Sequence, residues 1–371
     1  RQKIKFHTLL NMQTETLVLK EIEYPDRMSW DLVDRFADEM PSYDNDPSNP
    51  EWRATPVIPI DLRSEGYGIV HVKDESDKRS NPTQTIKDRA AWEIATLYRD
   101  FGRGLYLKRK SGSLNGDVGS IPVPRLSLIT AGNVGRAISH VFNRYGLPPM
   151  KLLLDSSLST ERLDILKGLY ADLYMVNLDE RLLLPHDIKR LTNNADGVDI
   201  TSVMAIEPQA VFYDWHVHEA FNESPDEIYL PYGSGRLFEN YLTWQERALR
   251  NQRQDPRLMA DIGKVIGMSI LGGEPAKRDS LANKLTKSFN PFVLFDDQDI
   301  AAMKSFSFTG RNTGIYQVPE ERIIEAYQLL SRHMDTEYSS SAGLALYLQR
   351  FSEGKVDTKN KVLVVNTGKG I

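Results

Sequence analysis

The stretch VKDESDKRSNPTQTIKDRAA, residues 72–91, joins the end of a strand pattern to the start of a helix pattern. The apolar pattern of IVHVK predicts a strand over 69–73, and the spacing in AAWEIATLYRDFG predicts a helix over 90–102 that ends at Gly102. Lys87 falls near the start of this helix, where the helix macrodipole disfavours a cation. Lys87 is therefore either a surface lysine without a special role or a lysine whose charge does not persist.

The order of a short apolar strand followed by a helix continues along the chain. Strand patterns lie at 126–130, 151–155, 172–178, 227–231, 264–271 and 361–367, and helix patterns at 136–148, 162–171, 237–253, 321–333 and 341–351. Short apolar strands that alternate with helices are typical of parallel sheets covered on both faces. A chain of 371 residues also exceeds what one hydrophobic core usually serves. The sequence therefore predicts an α/β protein with two open, mostly parallel sheets, and an inserted loop or hairpin at 105–125.

Composition limits the classes of function. The 46 Lys and Arg against 51 Asp and Glu give a net charge of −5, which favours neither nucleic acid nor an anionic membrane surface as a partner. The chain has no cysteine, which excludes disulfides, thiolate metal ligands and a cysteine nucleophile. His216 and His218 lack a third ligand at metal spacing, so no metal site is predicted. With no spanning apolar run and a polar N-terminus, a cytoplasmic protein is expected.

Two further loops lie where a predicted strand passes into a helix, the place at which open α/β sheets bind ligands. In TAGNVGRA, residues 130–137, small residues and one amide follow the strand. In PYGSGRL, residues 231–237, the glycines would let backbone N–H groups approach an anion. Phe238 stands where a dinucleotide-binding fingerprint needs a third small residue, which disfavours that cofactor. Each loop taken alone also fits ordinary turn chemistry.

Several motifs occur together in a fixed order. They are KDE with NPT and KDR at 73–89, TAGNVGRA at 130–137, PYGSGRL at 231–237, VPEERIIEAYQLLSRHMDTEYSSSAGLAL at 318–346 and VLVVNTGKG at 362–370. Together they resemble the fold-type II enzymes dependent on pyridoxal 5′-phosphate, the tryptophan synthase β superfamily. The first motif is similar to the threonine synthase pattern K-D-E-x-x-N-P-T-G-S-F-K-D-R. Several motifs in order are more specific than any one of them.

The resemblance implies an architecture and a cofactor. A large discontinuous lobe of residues 1–91 and 206–371 and a small lobe of residues 92–205 would hold pyridoxal 5′-phosphate in the cleft between them. Lys87 would carry the cofactor through an imine bond, which requires a neutral amine and so explains a lysine at a helix N-terminus. A homodimer with a small amino-acid substrate is expected from the same family.

The resemblance also implies the remaining site residues. The residues expected around the cofactor are Asn133 at the pyridine 3′-oxygen, Gly233, Ser234, Gly235 and the backbone of Arg236 at the 5′-phosphate, and Thr367 at the pyridine nitrogen. The residues expected at the substrate α-carboxylate are Thr130, Ala131 and Gly132, together with Asn133. A neutral hydroxyl at the pyridine nitrogen leaves the ring unprotonated, which suits β- and γ-elimination or replacement.

The sequence departs from the family pattern at four of these places, and three activities stay open. Gln84 and Ile86 replace Gly and Phe before the lysine, Ala131 replaces a Ser, and Arg236 replaces the fourth glycine of the phosphate loop. The first activity is threonine synthase-like, from O-phosphohomoserine to threonine. The second is a threonine/serine dehydratase or a cysteine synthase-like enzyme. The third is a catalytically degenerate binding protein with the same fold, which Gln84 and Ala131 keep open.

Overall fold

The structure is a computed structural model that describes residues 16–23, 54–111, 124–130, 132–178, 183–201, 213–252, 267–277, 279–285 and 313–371. Its strands are β1 (Leu17–Lys20), β2 (Val57–Asp61), β3 (Ile69–Asp74), β4 (Leu126–Ile129), β5 (Met150–Asp155), β6 (Ala171–Val176), β7 (Val198–Asp199), β8 (Glu227–Pro231), β9 (Ser269–Pro275), β10 (Gly314–Val318) and β11 (Val362–Asn366). Its helices are α1 (Lys87–Lys110), α2 (Asn133–Tyr145), α3 (Thr160–Lys167), α4 (Pro185–Leu191), α5 (Asp214–Asn222), α6 (Arg236–Gln252), α7 (Glu320–Leu330) and α8 (Ala342–Ser352).

The larger sheet has six strands in the order β10-β9-β8-β11-β3-β2. All neighbours are parallel except β2, which pairs antiparallel with β3. Successive residues of a strand point to opposite faces, so each buried strand supplies two cores. On β8, Tyr229 packs with α7 and α8, whereas Ile228 and Leu230 pack with α5 and α6. Helices therefore cover both faces of this sheet.

The smaller sheet has five strands in the order β1-β6-β5-β4-β7, parallel except for β1. The same alternation divides its residues between two faces. On β5, Leu152 and Leu154 pack in a core with α1, α2 and α3, whereas Leu153 packs with α4. The predicted α/β fold with two open, mostly parallel sheets is confirmed. Among the described residues, no helix is long and apolar enough to cross a membrane.

Helix α1 is longer than the sequence pattern predicts. It begins at Lys87 and continues through Gly102 to Lys110, so the predicted end at Gly102 and the predicted loop at 105–110 are wrong. A glycine inside a helix costs only about 1 kcal/mol, and the following LYLKRK consists mostly of good helix formers. Residues 112–123 of the predicted insertion lie outside the described residues.

Strand β1 lies in a different sheet from the one expected. Residues 1–91 were assigned to the large lobe, but β1 pairs antiparallel with β6 at the edge of the smaller sheet, with Leu17 opposite Met175. This pairing joins segments about 150 residues apart, and no local pattern encodes such a distant partner. The assignment of Leu17–Lys20 to the large lobe is corrected accordingly. The remaining boundaries of the two lobes stay a prediction.

Candidate functional site

The loop between β3 and α1 is fixed by side chains of its own motif. Asn81 donates from Nδ2 to the backbone carbonyl of Glu75 at 2.9 Å and to its Oε2 at 2.7 Å. Thr83 donates from its backbone N–H and its hydroxyl to Oδ2 of Asp88, at 2.9 and 2.8 Å. Asn81 and Thr83 of the NPT motif thus bind Glu75 of KDE and Asp88 of KDR, respectively. Lys87, the first residue of α1, is presented at the carboxyl edge of the larger sheet.

The lysine loop is also bonded to the end of β11. The backbone N–H of Ile86 donates to the carbonyl of Thr367 at 3.0 Å, and that of Lys369 donates to the carbonyl of Gln84 at 2.9 Å. Gly368 has φ +112, and a Cβ there would lie 2.3 Å from the Gln84 carbonyl oxygen. Only glycine allows this approach. The structure therefore brings the loops of Lys87 and Thr367 together.

The side chain of Thr367 belongs to a pair of hydroxyls. Its Oγ1 lies 2.9 Å from Oγ of Ser340, which donates to the carbonyl of Gly368 at 2.6 Å. Among the described residues, no carboxylate lies within hydrogen-bond distance of Thr367 Oγ1. Ser340 was not assigned a role from the sequence, although it lies within the EYSSSAG segment.

The loop before α2 contains an amide atom without a partner. Gly132 has φ +138, and Asn133 begins the helix. Among the described residues, nothing hydrogen-bonds the buried Oδ1 of Asn133. A buried polar atom without a partner costs about 1–3 kcal/mol, and a half-turn of the amide would present its N–H₂ there instead. This end of the loop is therefore suited to bind a polar ligand atom.

Thr130 organises the same loop. Its Oγ1 accepts from the backbone N–H of Gly132 at 3.1 Å and from that of Gly135 at 3.4 Å. No described residue accepts the hydroxyl hydrogen of Thr130, which is free to donate to a ligand. Ala131, predicted to contact the substrate, lies outside the described residues.

The GSG loop forms a cradle of backbone N–H groups between β8 and α6. The N–H groups of Gly233, Ser234 and Gly235 donate to no residue that the structure describes. A Cβ on Gly233 would lie 3.0 Å from Leu285, and Gly235 has φ +82. Arg236 begins α6 and directs its guanidinium to Glu239 at 3.0 Å, leaving its backbone at the helix N-terminus. Free N–H groups at a helix N-terminus bind anions such as phosphate.

Tyr213 is a contact of Lys87 that the sequence did not reveal. The Nζ of Lys87 donates to the hydroxyl of Tyr213 at 2.8 Å and lies 5.3 Å from the centre of its ring. Tyr213 lies immediately before α5 and is only 4% exposed. The two residues are 126 positions apart, and no motif marks the tyrosine.

A buried cluster of charges lies beneath the start of α1. Arg89 donates to Glu75 at 2.7 Å and to Glu219 at 3.0 Å, and Lys73 donates to Glu219 at 2.5 Å. Two cations thus face two carboxylates, so the cluster is neutral overall. Burial alone would raise the pKa of Glu75, but Arg89 beside it holds that pKa well below its usual range. Lys73, Glu75 and Arg89 come from the recognised motif, whereas Glu219 does not.

His216 completes this cluster. Its Nδ1 lies 2.7 Å from Oε1 of Glu75, and its Nε2 lies 2.8 Å from the hydroxyl of Tyr241. Burial lowers the pKa of His216, so the ring is neutral near neutral pH. Since a carboxylate only accepts, Nδ1–H donates to Glu75 and Nε2 accepts from Tyr241. Among the described residues no group of three potential ligands could hold a metal.

Asp88, next to Lys87, has a carboxyl group with a raised pKa. It is 1% exposed, and its Oδ1 is buried without a hydrogen-bond partner among the described residues. Burial raises the pKa of Asp88 to about 6, although the hydrogen bonds from Thr83 oppose this shift. The carboxyl group is therefore protonated over a pH range in which an ordinary aspartate is charged.

Shared packing connects the predicted site residues. The core that contains Ile86 and Tyr213 also receives Leu237, just after Arg236, and Ile371, near Thr367. A Cβ on Gly132 would lie 2.2 Å from Cδ1 of Ile371, so the end of the chain reaches the Asn133 loop. The loops of Lys87, Thr367 and Asn133 thus meet in one region. The GSG loop is connected to it through Leu237.

Solved structures with a similar fold include three enzymes. Serine racemase from Dictyostelium discoideum is 17% identical with a TM-score of 0.54, covering 86% of this chain and 93% of that chain. O-acetylserine dependent cystathionine beta-synthase from Helicobacter pylori is 16% identical with a TM-score of 0.53, covering 85% and 93%. Diaminopropionate ammonia lyase from Escherichia coli is 16% identical with a TM-score of 0.53, covering 98% and 95%. At these identities the likeness shows a shared fold.

Sequence comparison identifies the family. The curated proteins give no match to this chain. The sequence profile of the family described as "Pyridoxal-phosphate dependent enzyme" matches residues 49–368, which include the loops of Lys87, Asn133, Gly233 and Thr367. The chain therefore belongs to the pyridoxal-phosphate dependent enzyme family, as an enzyme of fold type II whose cofactor is pyridoxal 5′-phosphate.

Proposed function

We propose that this enzyme catalyses β- or γ-elimination or replacement on an amino acid, with Lys87 as the residue that carries pyridoxal 5′-phosphate. One observation carries the proposal. The loop that presents Lys87 at the start of α1 is hydrogen-bonded to Thr367 at the end of β11, through Ile86 at 3.0 Å. The lysine of the KDR motif and the threonine of TGKG therefore lie in neighbouring loops, which supports their proposed roles at one site.

Free polar groups of the chain fit the edges of the cofactor. The buried amide of Asn133 would bond the pyridine 3′-oxygen. The free N–H groups at 233–235 and the backbone of Arg236 would bind the 5′-phosphate at the N-terminus of α6. Thr367, paired with Ser340, would face the pyridine nitrogen with a neutral hydroxyl. Lys87 and these groups would together hold the cofactor.

The chemistry follows from the groups of the chain. The bound cofactor serves as an electron sink for the substrate α-carbon, which makes its hydrogen acidic. The amine of Lys87 would accept that proton, because it has no carboxylate partner among the described residues. Thr130, Ala131, Gly132 and Asn133 would orient the substrate carboxylate, and the free hydroxyl hydrogen of Thr130 supports this role.

Threonine synthase-like conversion of O-phosphohomoserine is the activity we favour, because the loop at 73–89 has KDE, NPT and KDR. In this loop Asn81 binds Glu75 and Thr83 binds Asp88. The three similar structures are a serine racemase, an O-acetylserine dependent cystathionine beta-synthase and a diaminopropionate ammonia lyase. An amino-acid substrate is common to them. A homodimer, a cytoplasmic location and the lobe division at about 92 and 205 belong to the same proposal.

A substrate panel tests the proposed function. Purified protein supplied with the cofactor is incubated separately with O-phosphohomoserine, threonine, serine and O-acetylserine, the last with and without sulfide. Released phosphate, threonine, ammonia, keto acid and acetate are measured. Equal amounts of phosphate and threonine from O-phosphohomoserine are expected. Ammonia with a keto acid from threonine or serine would identify a dehydratase instead, and sulfide-dependent acetate release from O-acetylserine would identify a cysteine synthase. If bound cofactor gives no product with any substrate, the degenerate binding protein replaces the proposal. Lys87→Ala is the inactive control.

A further inference from the structure

The contact between Tyr213 and Lys87 is not explained by packing alone. Tyr213 is 4% exposed and lies in the same core as Ile86. Its ring would fill this space equally well without a hydroxyl. The hydroxyl nevertheless lies 2.8 Å from Nζ of Lys87 and accepts a hydrogen bond from it. The hydroxyl therefore contacts the one atom of the site whose protonation state decides whether the lysine is a nucleophile.

The hydroxyl hydrogen of Tyr213 is available for a second contact. A phenol both accepts and donates, and its oxygen already accepts from Lys87. No residue that the structure describes accepts the hydrogen of this hydroxyl. Tyr213 thus has one hydrogen bond toward the lysine and one hydrogen left for water or a ligand, which is the arrangement of a proton relay.

We propose that Tyr213 positions Nζ of Lys87 and relays its proton to solvent, an inference that rests on the proposed function of Lys87. In the step, the ammonium of Lys87 gives one proton to the phenol oxygen while the phenol gives its own proton to a water molecule. The products are a neutral amine, an unchanged neutral phenol and a hydronium ion, so charge and atoms balance. The reverse step returns a proton to the amine. In the structure Nζ lies 5.3 Å from the ring centre.

Tyr213→Phe tests the hydroxyl alone, because phenylalanine keeps the packing of the ring. Tyr98→Phe is the matched control: Tyr98 is 6% exposed in the same core and packs against Phe142 with ring centres 5.5 Å apart. Both variants lose one hydroxyl from one core. Equal unfolding curves for the two variants would show that any difference at Lys87 does not come from stability.

The experiment measures how fast added pyridoxal 5′-phosphate becomes attached to cofactor-depleted protein, with borohydride trapping and mass spectrometry of the peptide that contains Lys87. General acid–base catalysis typically contributes at least about 100-fold, so Tyr213→Phe is expected to slow attachment by about that factor near neutral pH. Its rate should rise more steeply with pH than that of the parent chain, and imidazole, a small proton carrier, should restore part of it. Tyr98→Phe should attach the cofactor at the parent rate.

The outcomes separate this proposal from the proposed function. Attachment to Tyr213→Phe at the parent rate and with the parent pH dependence would overturn the relay. A uniform slowing without rescue by imidazole would overturn it as well and leave the hydroxyl a structural role. If the parent chain attaches no cofactor at Lys87, both proposals fall. If attachment is normal and depends on Tyr213 but no amino acid is converted, the relay stands and the proposed function falls.

Discussion

The backbone N–H of Ile86 donates to the carbonyl of Thr367 at 3.0 Å, across 281 positions of the chain. This hydrogen bond, with the one from Lys369 to Gln84 at 2.9 Å, makes the lysine loop a short antiparallel neighbour of the segment after β11. The placement of Lys87 thus depends on the end of the chain as much as on its own motif. Changes around Gly368 should therefore move the lysine.

Asp88→Asn should change how stability depends on pH. The folded-state pKa of Asp88, about 6, lies above the ordinary value of 3.8. The protonated carboxyl of Asp88 therefore stabilises the folded protein fully below pH 3.8, and this stabilisation is lost as pH rises through about 6. Two pKa units correspond to about 3 kcal/mol. Asparagine does not ionise and can still accept the hydrogen bonds from Thr83. The free energy of unfolding of the variant, minus that of the parent, should therefore rise between about pH 4 and pH 6.

Urea unfolding at a series of pH values measures this difference. Asp100→Asn is a suitable control, since Asp100 is exposed on the same helix and pairs with Arg99 at 2.7 Å. Its difference from the parent should vary little over the same range. A flat difference for Asp88→Asn would mean that Asp88 ionises normally in the folded protein.

Glu75→Gln should destabilise the fold strongly. The substitution leaves Arg89 buried with one carboxylate fewer and removes the charge that His216 and Asn81 contact. Breaking a buried ion pair from one side typically costs about 3–5 kcal/mol. Asp164→Asn removes an exposed pair with Lys167 at 3.0 Å and should cost about 0.5 kcal/mol or less. Chemical unfolding measures the free energy of unfolding of both variants. Equal losses in the two variants would show that the buried cluster is not what holds α1 against β3.

Gln84 should tolerate glycine and reject a β-branched residue. Its φ of +60 is left-handed, which costs a residue with a side chain about 1–2 kcal/mol. Gln84→Gly removes that strain but gives up the hydrogen bond to Asp335 at 2.8 Å, so its stability should stay within about 1 kcal/mol of the parent. Gln84→Val should lose at least about 1–2 kcal/mol. Equal melting of the glycine and valine variants would contradict the left-handed geometry.

Gly132→Ala and Gly104→Ala should have opposite effects. At Gly132, φ is +138 and a Cβ would meet Ile371, so alanine should cost about 1–3 kcal/mol and displace Ile371. At Gly104, inside α1, a Cβ would meet nothing within 4 Å, so alanine should stabilise by about 0.5–1 kcal/mol. Thermal unfolding of the two variants shows whether each substitution lowers or raises the stability of the protein. Stabilisation at both positions would rule out the tight approach of Ile371 to the Asn133 loop.

The sequence predicts those parts of the site that local motifs build. Lys87 at a helix N-terminus and the GSG loop before α6 both follow from a strand, a loop and a helix read in order. Tyr213 and Glu219 could not be found in this way, because each reaches the motif from more than 100 positions away and belongs to no pattern. The pairing of β1 with β6 was missed for the same reason. The sequence pattern misplaces the end of α1 because Gly102 is a stop signal, whereas the helix formers after it extend the helix to Lys110.

The central claim is that Lys87 carries the cofactor, and mass spectrometry after borohydride reduction of the purified enzyme tests it most directly. The enzyme should be yellow, and reduction should fix one pyridoxyl group on the peptide that contains Lys87. Lys87→Ala should yield no adduct and should unfold at nearly the parent denaturant concentration, because among the described residues the half-buried side chain of Lys87 hydrogen-bonds only Tyr213. An adduct on another lysine, or an enzyme that takes up no pyridoxal 5′-phosphate, would contradict the account.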